Sequence, residues 1–184
     1  MSRGLLIIDI QRDYFPGGAY PLVGPDAAAA SARRLLDAFR AGGEPVIHLQ
    51  HVWDAPDAAF MRPGTDGVEI HALVAPADGE TVITKAQPNG FLGTDLAAQL
   101  SSRGIDELVV AGMMSSMCVD ATVRAAVDLG LTATVAHDAC AAPDLEFGGT
   151  TIPGSTVHAA FMAALADGYA AVVDTDTLLS GERR

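Results

Sequence analysis

The chain alternates between short, almost continuously apolar runs and longer stretches that suit helices. The apolar runs at 5–10, 45–50, 81–85, 107–111, 132–137 and 170–174 are rich in Val and Ile. They read as strands covered on both faces, because a strand with one wet face would alternate apolar and polar residues. Between them lie 26–41, 94–103, 118–129 and 155–166, each long enough for two or more helical turns. Asp26 follows Pro25 as a start signal, and Gly42, Gly104, Gly130 and Gly168 follow as stops. This alternation predicts an α/β fold: a doubly wound, Rossmann-like, six-stranded and mainly parallel sheet with helices on both faces. No linker, repeat or charge block divides residues 1–184, so a single domain is expected.

Composition narrows the function. With 49% hydrophobic residues and a mean hydropathy of +0.27, the chain is not a disordered one. Eleven Lys and Arg face 23 Asp and Glu, giving a net charge of −12 with no basic stripe, which argues against nucleic acid as a partner. No apolar run approaches the ~18 residues of a membrane span, and the first residues do not read as a secretory leader. The two cysteines, Cys118 and Cys140, form no CxxC pair and suit a reducing compartment. A cytoplasmic protein acting on a small molecule is the expectation.

Ligands of doubly wound sheets sit at the carboxyl ends of the strands, near a switch point. That rule selects Asp9, residues 48–53, Lys85 and residues 112–118; the long loops 52–68 and 141–154 are candidate pocket walls. Cys118 is placed to open a helix, where the dipole and unpaired N–H groups favour thiolate. By position alone it also reads as a small buried hydrophobe, which is what most free cysteines are. Asp9 ends an apolar strand and Lys85 ends another, which describes either a working acid and base or a structural ion pair. A thiol beside them makes a constellation, since a thiol needs a base for its proton and a cation to steady charge.

Four blocks in order make the sequence resemble a known family. They are Asp9-Ile10-Gln11-Arg12-Asp13-Tyr14-Phe15 after the first strand, then Thr84-Lys85 followed by Asn89-Gly90-Phe91-Leu92-Gly93-Thr94. Gly112-Met113-Met114-Ser115-Ser116-Met117-Cys118-Val119-Asp120 is the third, and Asp138-Ala139 with His158-Ala159 the last. Together they resemble the isochorismatase-like cysteine hydrolases, which include nicotinamidases and N-carbamoylsarcosine amidohydrolases. The resemblance implies that fold, a homo-oligomer, and a catalytic triad of Asp9, Lys85 and Cys118. Asp9 would be the general base, Lys85 the charge stabiliser and Cys118 the nucleophile of a covalent intermediate. It also implies a cis peptide at Met113–Met114, turning the N–H of Met114 beside that of Cys118 as an oxyanion hole.

The sequence departs from the family where nicotinamidases carry an Asp-x-His metal motif. Here His51 and Trp53 stand at those positions, so no metal is expected. The alternative, a site reassembled from His48, His51, Asp54 and His71, is opposed by strand alternation, which sends His48 and His51 to opposite faces. His51 is instead assigned to the pocket, with Tyr14, Trp53 and Phe91 as an aromatic wall for substrate. Gly17-Gly18 and Gly148-Gly149 fit no phosphate-binding spacing, so no cofactor is expected. The leading reading is a cysteine-dependent hydrolase of a small amide, carbamoyl or ureide C–N bond. The alternatives are hydrolysis of an isochorismate-like vinyl ether, or a catalytically silent binding module.

Overall fold

The structure, a computed structural model, describes residues 2–181. Its strands are β1 (Ser2–Ile8), β2 (Val46–His51), β3 (Thr81–Lys85), β4 (Ile105–Met113), β5 (Thr132–Ala141), β6 (Leu145–Phe147), β7 (Thr150–Ile152) and β8 (Ala171–Val173). Six of them form one sheet in the order β3-β2-β1-β4-β5-β8. Every neighbouring pair in it is parallel, so the sheet is wholly rather than mainly parallel. The helices are α1 (Pro25–Gly42), α2 (Leu96–Ser102), α3 (Asp120–Asp128), α4 (Gly154–Gly168) and α5 (Thr175–Ser180).

Strand alternation explains the unbroken apolar runs. Leu5, Ile7, Val109 and Ala111 pack with Leu35, Leu36 and Phe39 of α1 on one face. Leu6, Ile8, Leu108 and Val110 pack with Leu96 of α2, Val123 of α3 and Leu165 of α4 on the other. Both faces of the central strands are therefore dry. From β1 the chain winds one way through β2 and β3, then crosses back to β4 on β1's other side. The switch point thus lies between the carboxyl ends of β1 and β4.

Two elements were not expected from the pattern. The segment 141–154 holds the β6–β7 hairpin, turned by Gly148 and Gly149 at φ +60 and +77. A Gly-Gly pair between short runs is a hairpin signal. The last strand is followed by α5, whose N-cap Asp174 accepts from the Thr177 N–H at 2.7 Å. Among the described residues no helix is long and apolar enough to cross a membrane.

Candidate active site

The sheet order lines up Lys85, His51, Asp9 and Cys118 at consecutive strand ends. Lys85 closes β3 in register with His51, which closes β2. Asp9 ends β1 because its backbone turns left-handed, at φ +50, a region Asp tolerates better than most residues. Its N–H still reaches the Leu49 carbonyl at 3.1 Å. Across the switch point, Gly112 (φ +154) lies so close to Ile8 that a Cβ would run into the Ile8 carbonyl. The Met113–Met114 peptide that follows is cis. One π-helical turn, Ser115–Val119, then carries Cys118 into the interior. The regular helix begins only at Asp120, so Cys118 sits in a wide π-helical turn that leads into α3 and not at the first residue of α3.

Lys85 is the hub. Its Nζ lies 2.6 Å from Asp9 Oδ2, 3.1 Å from His51 Nδ1, 3.0 Å from the Gln87 carbonyl and 3.4 Å from Cys118 Sγ. All three residues of the Asp9–Lys85–Cys118 group are buried. The Lys85 ammonium, the Cys118 thiol and the His51 backbone all lie where they favour the charged Asp9 carboxylate. Burial raises the Asp9 pKa above the ordinary carboxylate range, with Lys85 pulling the other way. Burial first, and the Asp9 carboxylate second, push the Cys118 thiol up, against the opposing pull of Lys85. The thiolate that a helix-start position suggested is thus not the resting form. Burial thus disfavours the charged form of both Asp9 and Cys118, and Asp9 and Lys85 act on the thiol in opposite directions.

His51 completes the row. Burial, then Lys85, lowers its pKa to about 4, so it is neutral at pH 7. An ammonium only donates, so His51 accepts through Nδ1 and its own proton sits on Nε2. Gln11, fully buried, fixes the His51 backbone: Oε1 accepts from the His51 N–H and Nε2 donates to the His51 carbonyl, both at 2.8 Å. Asp13 does similar work for the loops, accepting from the Ala19 N–H at 3.0 Å and the Met61 N–H at 2.6 Å.

Above Cys118 opens a cavity of about 350 Å³, whose walls include Tyr14, His51, Trp53, Met114 and Met117. Phe60 joins them, packed edge-on to Trp53 with ring centres 5.5 Å apart and stacked on Tyr20 at 4.8 Å. It lies in the loop 52–68 picked out as a pocket wall, where Trp53 is the only other aromatic. Phe91 is a correction. The Asn89 carboxamide accepts from the Phe91 N–H at 2.9 Å and Gly90 docks on Thr122 of α3, which turns the Phe91 ring against the α2–α3 side of the core and out of the cavity wall. Cys140 lies on β5 in register with Gly112 and outside the cavity wall: it is buried, donates to the Ala136 carbonyl, and burial pushes it up to about 12.

A family model described as the isochorismatase domain matches residues 3–176. The chain belongs to the isochorismatase family of hydrolases. It is 50% identical over 179 residues to the isochorismatase family protein YddQ of Bacillus subtilis, covering 97% of this chain and 99% of that one. It is 36% identical over 173 residues to a streptothricin hydrolase of Streptomyces noursei, covering 90% of this chain but 60% of that protein. The crystal structure of an isochorismatase hydrolase from Oleispira antarctica superposes with a TM-score of 0.94 at 49% identity, covering 98% and 97% of the two chains.

The histidines expected as alternative metal ligands are dispersed. His48 is fully buried and bonds Glu80 at 2.9 Å. His71 stacks on Phe15 at 3.9 Å and accepts from the Leu73 N–H. Among the described residues, the one grouping with metal-ligand spacing is Asp9, His51 and Cys118, whose ligand atoms lie within 4.8 Å of one another. The Lys85 ammonium already stands among those three atoms, at 2.6, 3.1 and 3.4 Å. A divalent ion there would meet that positive charge at contact distance, so the residues do not fit a metal.

Proposed function

We propose that this isochorismatase-family hydrolase is a cysteine amidohydrolase that cleaves a small non-peptide C–N bond. The observation that carries the reading is the packing of Lys85 against both Asp9 (2.6 Å) and Cys118 (3.4 Å), with Cys118 itself in the wall of the cavity. In the first half-reaction Cys118 Sγ adds to the substrate carbonyl carbon while its proton passes to Asp9. The N–H groups of Met114 and Cys118 hold the oxyanion, and Lys85 keeps a positive charge beside whichever partner is negative. Collapse of the tetrahedral species breaks the C–N bond, and Asp9 returns the proton to the departing nitrogen. A thioester remains on Cys118. Asp9 then takes a proton from water, whose oxygen adds to the thioester carbonyl, and release of the acid restores the thiol.

Ammonia release from a panel of small primary amides and ureides, with intact-mass detection of an acyl adduct after acid quench, tests this. Wild type is expected to turn over at least one compound and to show the adduct on Cys118. Cys118→Ala is expected to lose both. Turnover that survives in Cys118→Ala sinks the thioester mechanism.

A further inference from the structure

The cavity over Cys118 is walled by aromatic, methionine and small side chains, and its polar edges are His51 and Gln87. Among the described residues no side chain on that wall carries a formal charge at pH 7. Lys85, behind the wall, is held by Asp9 at 2.6 Å. We infer that the substrate is a compact, flat, uncharged amide, and that this cavity rejects amides and carbamoyl compounds bearing a carboxylate. The inference rests on the amidohydrolase reading and names its substrate class.

Two independent observations support it. A carboxylate taken from water into an apolar cavity loses its hydration, and here it would find no free cation in return. Arginines do occur nearby, in a separate cleft of about 760 Å³ that shares only Phe60 with the catalytic cavity. One of them, Arg12, is already paired with Asp66. Secondly, the chain's net charge of −12 repels anions at longer range. What the wall does offer suits a flat neutral group: the rings of Tyr14, Trp53 and Phe60 with pliant Met114 and Met117.

The test uses a size-matched pair with the same scissile bond, 4-methylbenzamide and 4-carbamoylbenzoate. Calorimetry on Cys118→Ala reads binding without turnover, and ammonia release on wild type reads turnover. The neutral compound is expected to bind the variant at least about tenfold tighter and to be hydrolysed at least about a hundredfold more efficiently by wild type. Met117, 47% exposed at the rim, provides the converse. Adding Met117→Arg to the Cys118→Ala protein is expected to bring carboxylate binding up at least about tenfold. Equal or tighter binding of the carboxylate by Cys118→Ala, or no binding of either compound, overturns the inference. If the binding preference is found but wild type hydrolyses no amide, the uncharged pocket stands and the amidohydrolase reading falls.

Discussion

Gln11 holds His51 from both sides of its backbone, accepting from its N–H and donating to its carbonyl at 2.8 Å each. The same carboxamide also donates to the Val68 carbonyl at 2.6 Å. A side chain here does the work of a neighbouring strand, continuing the ladder on the side of β2 where β1 has ended at Ile8. His51 in turn bonds Lys85, so the position of the ammonium depends on a residue that touches no reacting atom.

Replacing Gln11 should therefore act on both stability and rate. Gln11→Ala takes the side-chain partner from both the His51 N–H and the His51 carbonyl, leaves the Val68 carbonyl with Gln50 alone, and is expected to cost about 2–4 kcal/mol in urea unfolding. In the folded fraction kcat should fall more than KM rises, since the geometry of Lys85 is disturbed and not the cavity wall. Gln11→Glu should be worse, because an ionised carboxylate cannot donate to the His51 and Val68 carbonyls. Equal stability and rate in Gln11→Ala and wild type would show that the clamp is idle.

Acid sensitivity should originate away from the cavity, at Glu80. Its carboxylate bonds Arg40 at 2.7 and 2.8 Å, the Ala77 N–H at 2.9 Å and buried His48 at 2.9 Å. Burial works to raise its pKa, but those partners win and bring it down to about 2. A depressed folded pKa means stability that is complete above the ordinary carboxylate range and lost as pH falls toward 2. His48, lowered by burial, acts in the same direction from about pH 6.5 downward. Glu80→Gln is expected to lose about 1–2 kcal/mol at pH 7, allowing for solvent screening, and to flatten the Tm-versus-pH curve below pH 4.5. An unchanged curve would place acid sensitivity elsewhere.

The sheet was legible because burial on both faces writes itself as unbroken Val and Ile runs. Its ends were not, because they turn on single backbone states: Asp9 goes left-handed, so β1 stops at Ile8 and not at residue 10. The hairpin is hard to read because its two strands are only three residues long and carry no extended apolar alternation. Asp9, Lys85 and Cys118 stood out as polar or reactive residues closing apolar runs. The contact between His51 and Lys85 depends on the register of β2 with β3, which no local pattern encodes. Phe60, and not Phe91, stands in the cavity wall for a similar reason. Both lie in loops after strands, and only the docking of Gly90 on Thr122 decides which ring faces the cavity. The upward push on Cys118 follows from burial, a quantity its position in the chain does not reveal.

The place of the two rings is itself testable. Phe60→Ala removes a ring from the cavity wall and should raise KM by about tenfold with kcat nearly unchanged. Phe91→Ala should leave KM alone and lower stability instead, by about 2–3 kcal/mol for a half-buried ring. Measuring both constants with one good substrate, beside thermal unfolding of each variant, separates the two. A KM effect in Phe91→Ala larger than in Phe60→Ala would restore the original assignment.

Asp9→Asn should move thiol reactivity and catalysis in opposite directions. The Asp9 carboxylate is the second of the two causes that hold the Cys118 thiol protonated, after burial. Asparagine removes that negative charge while Lys85 stays 3.4 Å from Sγ, so the thiol pKa falls and more thiolate is present at pH 7. Iodoacetamide should then label Cys118 faster in Asp9→Asn than in wild type, as read by peptide mass spectrometry. Amide turnover should drop by about a thousandfold, because no base remains to carry the proton to the leaving nitrogen or to activate water. In wild type, kcat/KM should rise with pH through an ionisation above the ordinary carboxylate range, since burial raises Asp9, and Asp9→Asn should lack that limb. Labelling that falls in parallel with turnover would mean that Cys118 rests as a thiolate with its proton on Asp9, and the order of proton transfer proposed for the first step would have to be reversed.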